Sequence, residues 1–185
     1  MKLINFLLVI FISLTSVIKA DLNENLINEL KEGGKLIFIR HALAPGSGDP
    51  ENFDINECNT QRNLNNIGKN QAKEIGSYLL KKEILIDKVI SSEWCRCKET
   101  ALLAFKKFET KSFLNSFYSS QFLINKDQQI KDLKIYIKNW KSKKNLILVT
   151  HYVVISEILD YSSFSGEIVI SDRNFKKLGS INIKY

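Results

Sequence analysis

The chain has 185 residues, 44% of them hydrophobic and 25% charged, with 27 Lys and Arg against 20 Asp and Glu. That length suits one domain with a sizeable core and leaves no room for two, and the composition is that of an ordinary globular protein. The net charge of +7 is modestly basic and is accompanied by no nucleic-acid-binding motif, so nucleic acid is not an expected partner.

Lys2 is followed by an apolar stretch from Leu3 to Ile18, and Ala20 precedes the polar DLNEN. This is the layout of a secretory signal peptide over residues 1–20, which leaves residues 21–185 as a single domain, periplasmic or secreted. At ~1.5 Å per residue the apolar stretch spans about 24 Å, short of the ~30 Å hydrocarbon core. A retained anchor is therefore the second reading, and no stable membrane insertion is expected after cleavage. Loss of Lys2 and Lys19 lowers the net charge to +5.

Asp21 caps a short helix through Leu30 that stops at Gly33 and Gly34. Leu36 to Ile39 is an unbroken apolar run, the signature of a strand buried on both faces, and it ends abruptly in Arg40 and His41. A long loop, Ala44 to Arg62, holds both prolines and several glycines; its place after that strand marks it as a substrate-facing rim. Ile67, Gln71, Ala72, Ile75 and Leu79 keep helical spacing, which predicts a helix from Asn66 to Lys82. Strand Asp87 to Ile90 and helix Trp94 to Phe108 follow. Phe113 to Phe122 is ambiguous. Then come helix Asp127 to Trp140, strand Leu146 to Val149 and helix Val153 to Leu159, and the alternating segments Gly166 to Ser171 and Ser180 to Tyr185 predict an edge hairpin. Strands alternating with helices predict a three-layer α/β/α sandwich with a mainly parallel central sheet. The lysines at 138, 141, 143 and 144 read as a solvated helix end, with binding to anionic lipid or polymer as the other reading.

The chain has two histidines, and both leave apolar strands: His41 after Leu36 to Ile39, and His151 after Leu146 to Val149 and Thr150. In open α/β sheets ligands bind outside the carboxyl ends of strands, so both stand where chemistry is placed. Only four basic residues are arginine, namely Arg40, Arg62, Arg96 and Arg173. Guanidinium is a planar fork that grips two oxygens of a phosphate, which lysine does less well. Arg96 follows a third strand, so two histidines and two arginines, Arg40 and Arg96, are candidates for one phosphate-sized pocket. The three cysteines allow Cys58 to pair with Cys95 or with Cys97 but not both, since neighbours two apart on a helix diverge; three free thiols is the alternative. A zinc site is not expected, because neither histidine has ligand spacing.

Four segments, RHA at Arg40 to Ala42, QRNLNNIGKNQA at Gln61 to Ala72, SSEWCRCKETA at Ser91 to Ala101 and VTH at Val149 to His151, together resemble the histidine phosphatase superfamily, which includes the phosphoglycerate mutases. The resemblance covers about residues 35–170 and departs at Ala42, where glycine is commoner. It implies the phosphoglycerate mutase-like fold and a small-molecule phosphorylated substrate. It also implies a phosphatase in which His41 attacks phosphorus to form a phosphohistidine, while Arg40, Arg96 and His151 hold the phosphoryl oxygens. Phosphate esters resist attack because their oxygens are negative, so guanidinium groups neutralise that charge and no metal or other cofactor is implied. The mutases' glutamate is missing, since the matching stretch reads FLNSFYSS, and the aspartate that another branch carries after its second histidine is Tyr152 here. Glu93 is the substitute proton donor, with a solvent-exposed helix cap as its other reading. Glu99 reads as a helix-holding residue. A catalytically weak, phosphate-ligand-binding relative is the alternative function, and the sequence assigns neither a substrate nor an oligomeric state.

Overall fold

The computed structural model describes residues 24–183. The leader, the Asp21 cap and the last two residues of the expected final strand lie outside them. Residues 24–32 form α1, and the remaining elements run in the order β1 (Leu36–Arg40), α2 (Asn66–Lys81), β2 (Ile86–Ser91), α3 (Cys95–Phe105), β3 (Glu109–Thr110), α4 (Ser120–Leu123), α5 (Lys126–Asn139), β4 (Asn145–Thr150), α6 (Tyr152–Leu159), β5 (Ile168–Ser171) and β6 (Lys177–Ile181). Six strands make one sheet in the order β3-β2-β4-β1-β5-β6. The first four strands of that order run parallel, and β5 and β6 are antiparallel to their neighbours.

The period-2 geometry of a strand explains why the central runs are apolar throughout. Ile37 and Ile39 of β1, Ile147 and Val149 of β4, and Ile168 and Ile170 of β5 join Leu30, Ile75, Leu79 and Ala101 in one core, under α1, α2 and α3. Leu36 and Phe38, Leu146 and Leu148, and Val169 point the other way and pack with Leu133, Ile137, Val154 and Ile155 of α5 and α6. Two cores on opposite faces of one sheet are the three layers expected. Helices α2 and α3 approach closely, and a Cβ on Gly76 would lie 2.1 Å from the Ala104 carbonyl oxygen. Asn65 caps α2 by accepting from the Gly68 amide at 2.8 Å.

Two local expectations are revised. The final strand runs over Lys177–Ile181 rather than from Ser180, because Asp172 accepts from the amides of Asn174 and Lys176 and closes the hairpin in a tighter turn. The β5–β6 hairpin stands at one edge of the sheet, as expected, with β6 outermost and β3 at the opposite edge. Helix α3 ends at Phe105, and its continuation turns at Lys106 (φ 68°) into the two-residue β3, where the sequence gives a helix to Phe108. The ambiguous stretch folds as a 3₁₀ turn over Ser112–Leu114 and the short α4.

Candidate active site

Arg40 ends β1, Ser91 ends β2 and Thr150 ends β4, and these three strands are parallel neighbours. Their carboxyl ends therefore open on one side of the sheet, where α3 and α6 begin and turn the positive ends of their dipoles to the same place. A cavity of about 270 Å³ lies there, lined by Arg40, His41, Asp49, Arg62, Arg96 and His151 among others. Four of the five expected site residues are thus brought together. Glu93 is the exception: it lines a neighbouring cavity, and its carboxylate accepts from Asn115 Nδ2 at 2.6 Å.

His41 is 2% exposed. Its Nδ1 lies 2.8 Å from the Ala42 carbonyl oxygen, which only accepts, so Nδ1 carries the proton and Nε2 keeps its lone pair. Arg96 agrees with that assignment, since its Nε–H donates to His41 Nε2 at 3.3 Å. Burial first, and then the Arg96 charge, push the His41 pKa well below 6.5, against the opposing pull of the Ala42 carbonyl. Burial and the Arg96 and His41 neighbours do the same to His151. Both rings are therefore neutral at pH 7. They meet edge to face, with centroids 5.4 Å apart. Ser92 Oγ gives its one proton to Asn115 Oδ1 (3.0 Å), so His151 Nε2 is the donor in its 3.0 Å contact with Ser92 Oγ.

Arg96 is 3% exposed and nearly saturated. Nη1 donates to Asp49 Oδ1 (2.7 Å) and to the Arg62 carbonyl (3.3 Å), and Nη2 donates to Asp49 Oδ2 (3.2 Å). Of five guanidinium N–H groups, Asp49 and the Arg62 carbonyl take three, and of the other two one is bonded to His41 and one has no partner among the described residues. Those two are the Nε–H that touches His41 and the second Nη2–H, which share one edge of the planar group. Asp49 also accepts from Trp94 Nε1 (3.1 Å) and from the Arg62 amide (3.0 Å). Burial alone would raise its pKa, but these bonds and the Arg96 charge together hold it below 3.8.

Arg40 Nη1 donates to the Ser163 carbonyl at 2.7 Å, its guanidinium lies 5.1 Å from the Tyr152 ring centre, and its buried Nε has no partner. Arg62 braces the rim loop through the Gly48 carbonyl (2.8 Å) and the Ala44 carbonyl. Burial foremost, and the nearby Arg96 charge, lower the pKa of Arg40 and of Arg62. Three crowded guanidinium groups and a buried unpartnered N–H make a site that a doubly charged oxyanion relieves. Arg173, by contrast, is structural: it lies 4.4 Å from the Trp140 ring centre and donates to the carbonyls of Gly34, Trp140 and Ser142.

The rim loop is tied to α3 in two ways. Cys58 is bonded to Cys95, and buried Gln61 accepts from the Cys95 amide at 2.9 Å. Cys97 is free and buried, 3.4 Å from His151 Nε2, and burial foremost raises its pKa to about 12. Glu99 pairs with Lys69 of α2 at 3.1 Å, the holding role expected of it. Sequence reasoning missed Asp49, Ser92 and Asn115. Arg62 was marked by the scarcity of arginine but not assigned to the pocket. No signal in the sequence distinguishes Asp49 from the other loop acids, because its partner Arg96 is 47 positions away.

No family model matches the chain. It is 31% identical over 85 residues to a broad-specificity phosphatase of Saccharomyces cerevisiae, an alignment covering 46% of this chain and 35% of that protein, so the chain matches about a third of that curated relative's length. Among solved structures it is similar to a candidate phosphohistidine phosphatase, SixA, of Agrobacterium tumefaciens (TM-score 0.59, 14% identity, 82% of this chain and 99% of that one). It is also similar to a phosphoglycerate mutase of Thermus thermophilus (TM-score 0.55, 14% identity, 81% and 99%). A candidate α-ribazole-5'-P phosphatase of Escherichia coli gives a TM-score of 0.56 at 16% identity, over 75% and 89% of the two chains. The chain has the phosphoglycerate mutase-like fold that these structures share.

Proposed function

We propose that this chain is a phosphatase that hydrolyses phosphomonoesters, or phosphoramidates and phosphoanhydrides, through a phosphohistidine on His41. The observation that carries the reading is the His41 tautomer, which leaves a lone pair on Nε2 in a cavity lined by three arginines. Nε2 attacks phosphorus and the bond from phosphorus to the leaving atom breaks, an oxygen in esters and anhydrides and a nitrogen in phosphoramidates. The Nε–H and Nη2–H edge of Arg96, the unpartnered Nε–H of Arg40 and His151 receive the phosphoryl oxygens. The arriving dianion favours the imidazolium form of His151. Water then attacks phosphorus, the P–N bond breaks, and His41 returns to its neutral form. Guanidinium groups supply the charge that a metal supplies in other phosphoryl transfers, so the reading needs no cofactor.

Glu93, beside the neighbouring cavity, is the proton donor in this reading and takes a proton back from the attacking water. The alternative, a relative that binds phosphate without turnover, draws on one observation: Asp49, the carboxylate that lines the phosphate cavity among the described residues, is held ionised by Arg96. Export of the chain and its leader remain part of the proposal, supported by the Cys58–Cys95 bond, since such bonds persist in oxidising compartments.

The test is brief incubation with a labelled phosphodonor followed by denaturation in base. Label that survives base and is lost in acid is expected, and His41→Ala abolishes both label and turnover. A wild-type protein that binds phosphate and never labels overturns the phosphatase. Glu93→Gln slows alkyl esters far more than activated aryl phosphates, and equal slowing removes Glu93 as the donor.

A further inference from the structure

The phosphate cavity has a neighbour of opposite character. A second cavity of about 620 Å³ shares Trp94, Ser116, Gln121 and Phe122 with it and is otherwise lined by different residues. The two are one side chain apart. The Trp94 ring is 5.4 Å from His151 and stacks 5.0 Å from Phe53, which lines the second cavity. The bonds from His151 to Ser92, from Ser92 to Asn115 and from Asn115 to Glu93 cross the same wall.

The charged groups of this second cavity are all acidic, and beside them stand the uncharged amides of Gln121, Asn125 and Gln128. Asp54, Glu93 and Asp132 line it, and among the described residues none of the three is in an ion pair, although the chain carries an excess of cations. Gln129, 9% exposed, spends its Nε2 on the carbonyls of Ser112 and Asn115 and leaves a buried Oε1 with no partner. A buried carbonyl oxygen without a donor is costly, and a ligand N–H supplies one. Phe53, Trp94 and Phe122 add ring faces, which attract a cation as well as an apolar surface.

Resting on the phosphatase reading, we propose that this cavity receives the leaving group, and that the preferred substrates are phosphate esters whose leaving group carries a cationic amine on a body about the size of a sugar ring. Guanidinium groups hold the phosphate and carboxylates hold the amine, so the site is bipolar and its ligand is zwitterionic. A purely hydroxylated leaving group satisfies the acceptors through O–H groups but leaves the Asp54 and Asp132 carboxylates without a countercharge.

The experiment compares glucosamine 6-phosphate with glucose 6-phosphate, which differ in the amine alone, and uses p-nitrophenyl phosphate as the common reference. Wild type is expected to favour the amine ester by about tenfold in kcat/KM, through KM, equivalent to ~1.4 kcal/mol. Asp132→Asn, which keeps an oxygen for Gln128, brings the pair to within about twofold and changes p-nitrophenyl phosphate turnover far less than glucosamine 6-phosphate turnover; Asp54→Asn serves as the second variant. Equal kcat/KM for the pair with active wild type overturns the amine site and leaves the phosphatase standing. If no ester is turned over, the phosphatase reading fails by itself. Calorimetric binding of the same pair to wild type and Asp132→Asn then decides the cavity: an amine preference lost in the variant supports it, and equal affinities overturn it.

Discussion

Arg96 acts through the edge it is left with. Asp49 and the Arg62 carbonyl occupy the outer donors, so the Nε–H is left on the nucleophilic nitrogen and the second Nη2–H is free on the same edge. Arg96→Ala is expected to lower kcat on an aryl phosphate by about two to three powers of ten, the loss typical of a removed transition-state donor. Asp49→Asn keeps the shape and loses the charge, and a fall of about tenfold is expected. If Asp49 works by orienting Arg96, the two losses do not add: in the Asp49→Asn background, Arg96→Ala costs less than it does in wild type. Additive losses in that double-mutant cycle would show that Asp49 acts by another route.

The rim loop has almost no regular structure of its own, and its position comes from cross-links. The Cys58–Cys95 bond closes a 37-residue separation and fastens the loop that carries Asp49 to the helix that carries Arg96. On the loop-entropy account a bond of that span stabilises by about 4 kcal/mol. Titration of the denatured, unreduced protein is expected to find one free thiol, that of Cys97, and three would remove the bond. Reduction is expected to lower the urea midpoint and also to slow turnover, because Asp49 loses its fixed place against Arg96. Turnover that survives reduction at full rate would separate the loop from catalysis.

The pH response belongs to the whole molecule. In the unfolded chain both histidines titrate near 6.5, whereas in the fold their pKa values are well below that. Between those values the unfolded chain binds more protons, so stability falls as pH falls below about 6.5. Asp49 adds in the same direction: its folded pKa is below 3.8, so its contribution is present above 3.8 and is lost as pH falls through the folded value. The urea midpoint is therefore expected to be lower at pH 5 than at pH 7.5. The kcat/KM on an aryl phosphate, which needs His41 neutral in the free enzyme, should show no loss of the nucleophile at pH 6.5. An activity drop centred there would mean that His41 is not buried neutral.

Local pattern alone was enough for the layers and for the points where chemistry emerges. The apolar runs at Leu36 to Ile39 and Leu146 to Val149 have no polar side, so they demand helices on both faces, and their abrupt ends expose Arg40, His41 and His151 at strand exits. These features are legible because a strand's two faces and its terminus are set by neighbours in sequence. Choices between distant, chemically similar groups were decided only by tertiary structure. Cys95 rather than Cys97 meets Cys58 because Cys97 is turned inward beside His151. Asp49, alone among the loop acids, reaches the Arg96 fork, while Glu93 faces the neighbouring cavity. Nothing in the spacing of these residues encodes that, because a carboxylate's partner is fixed by where loop and helix meet in space, and a polar loop carries no periodicity from which the meeting point can be read.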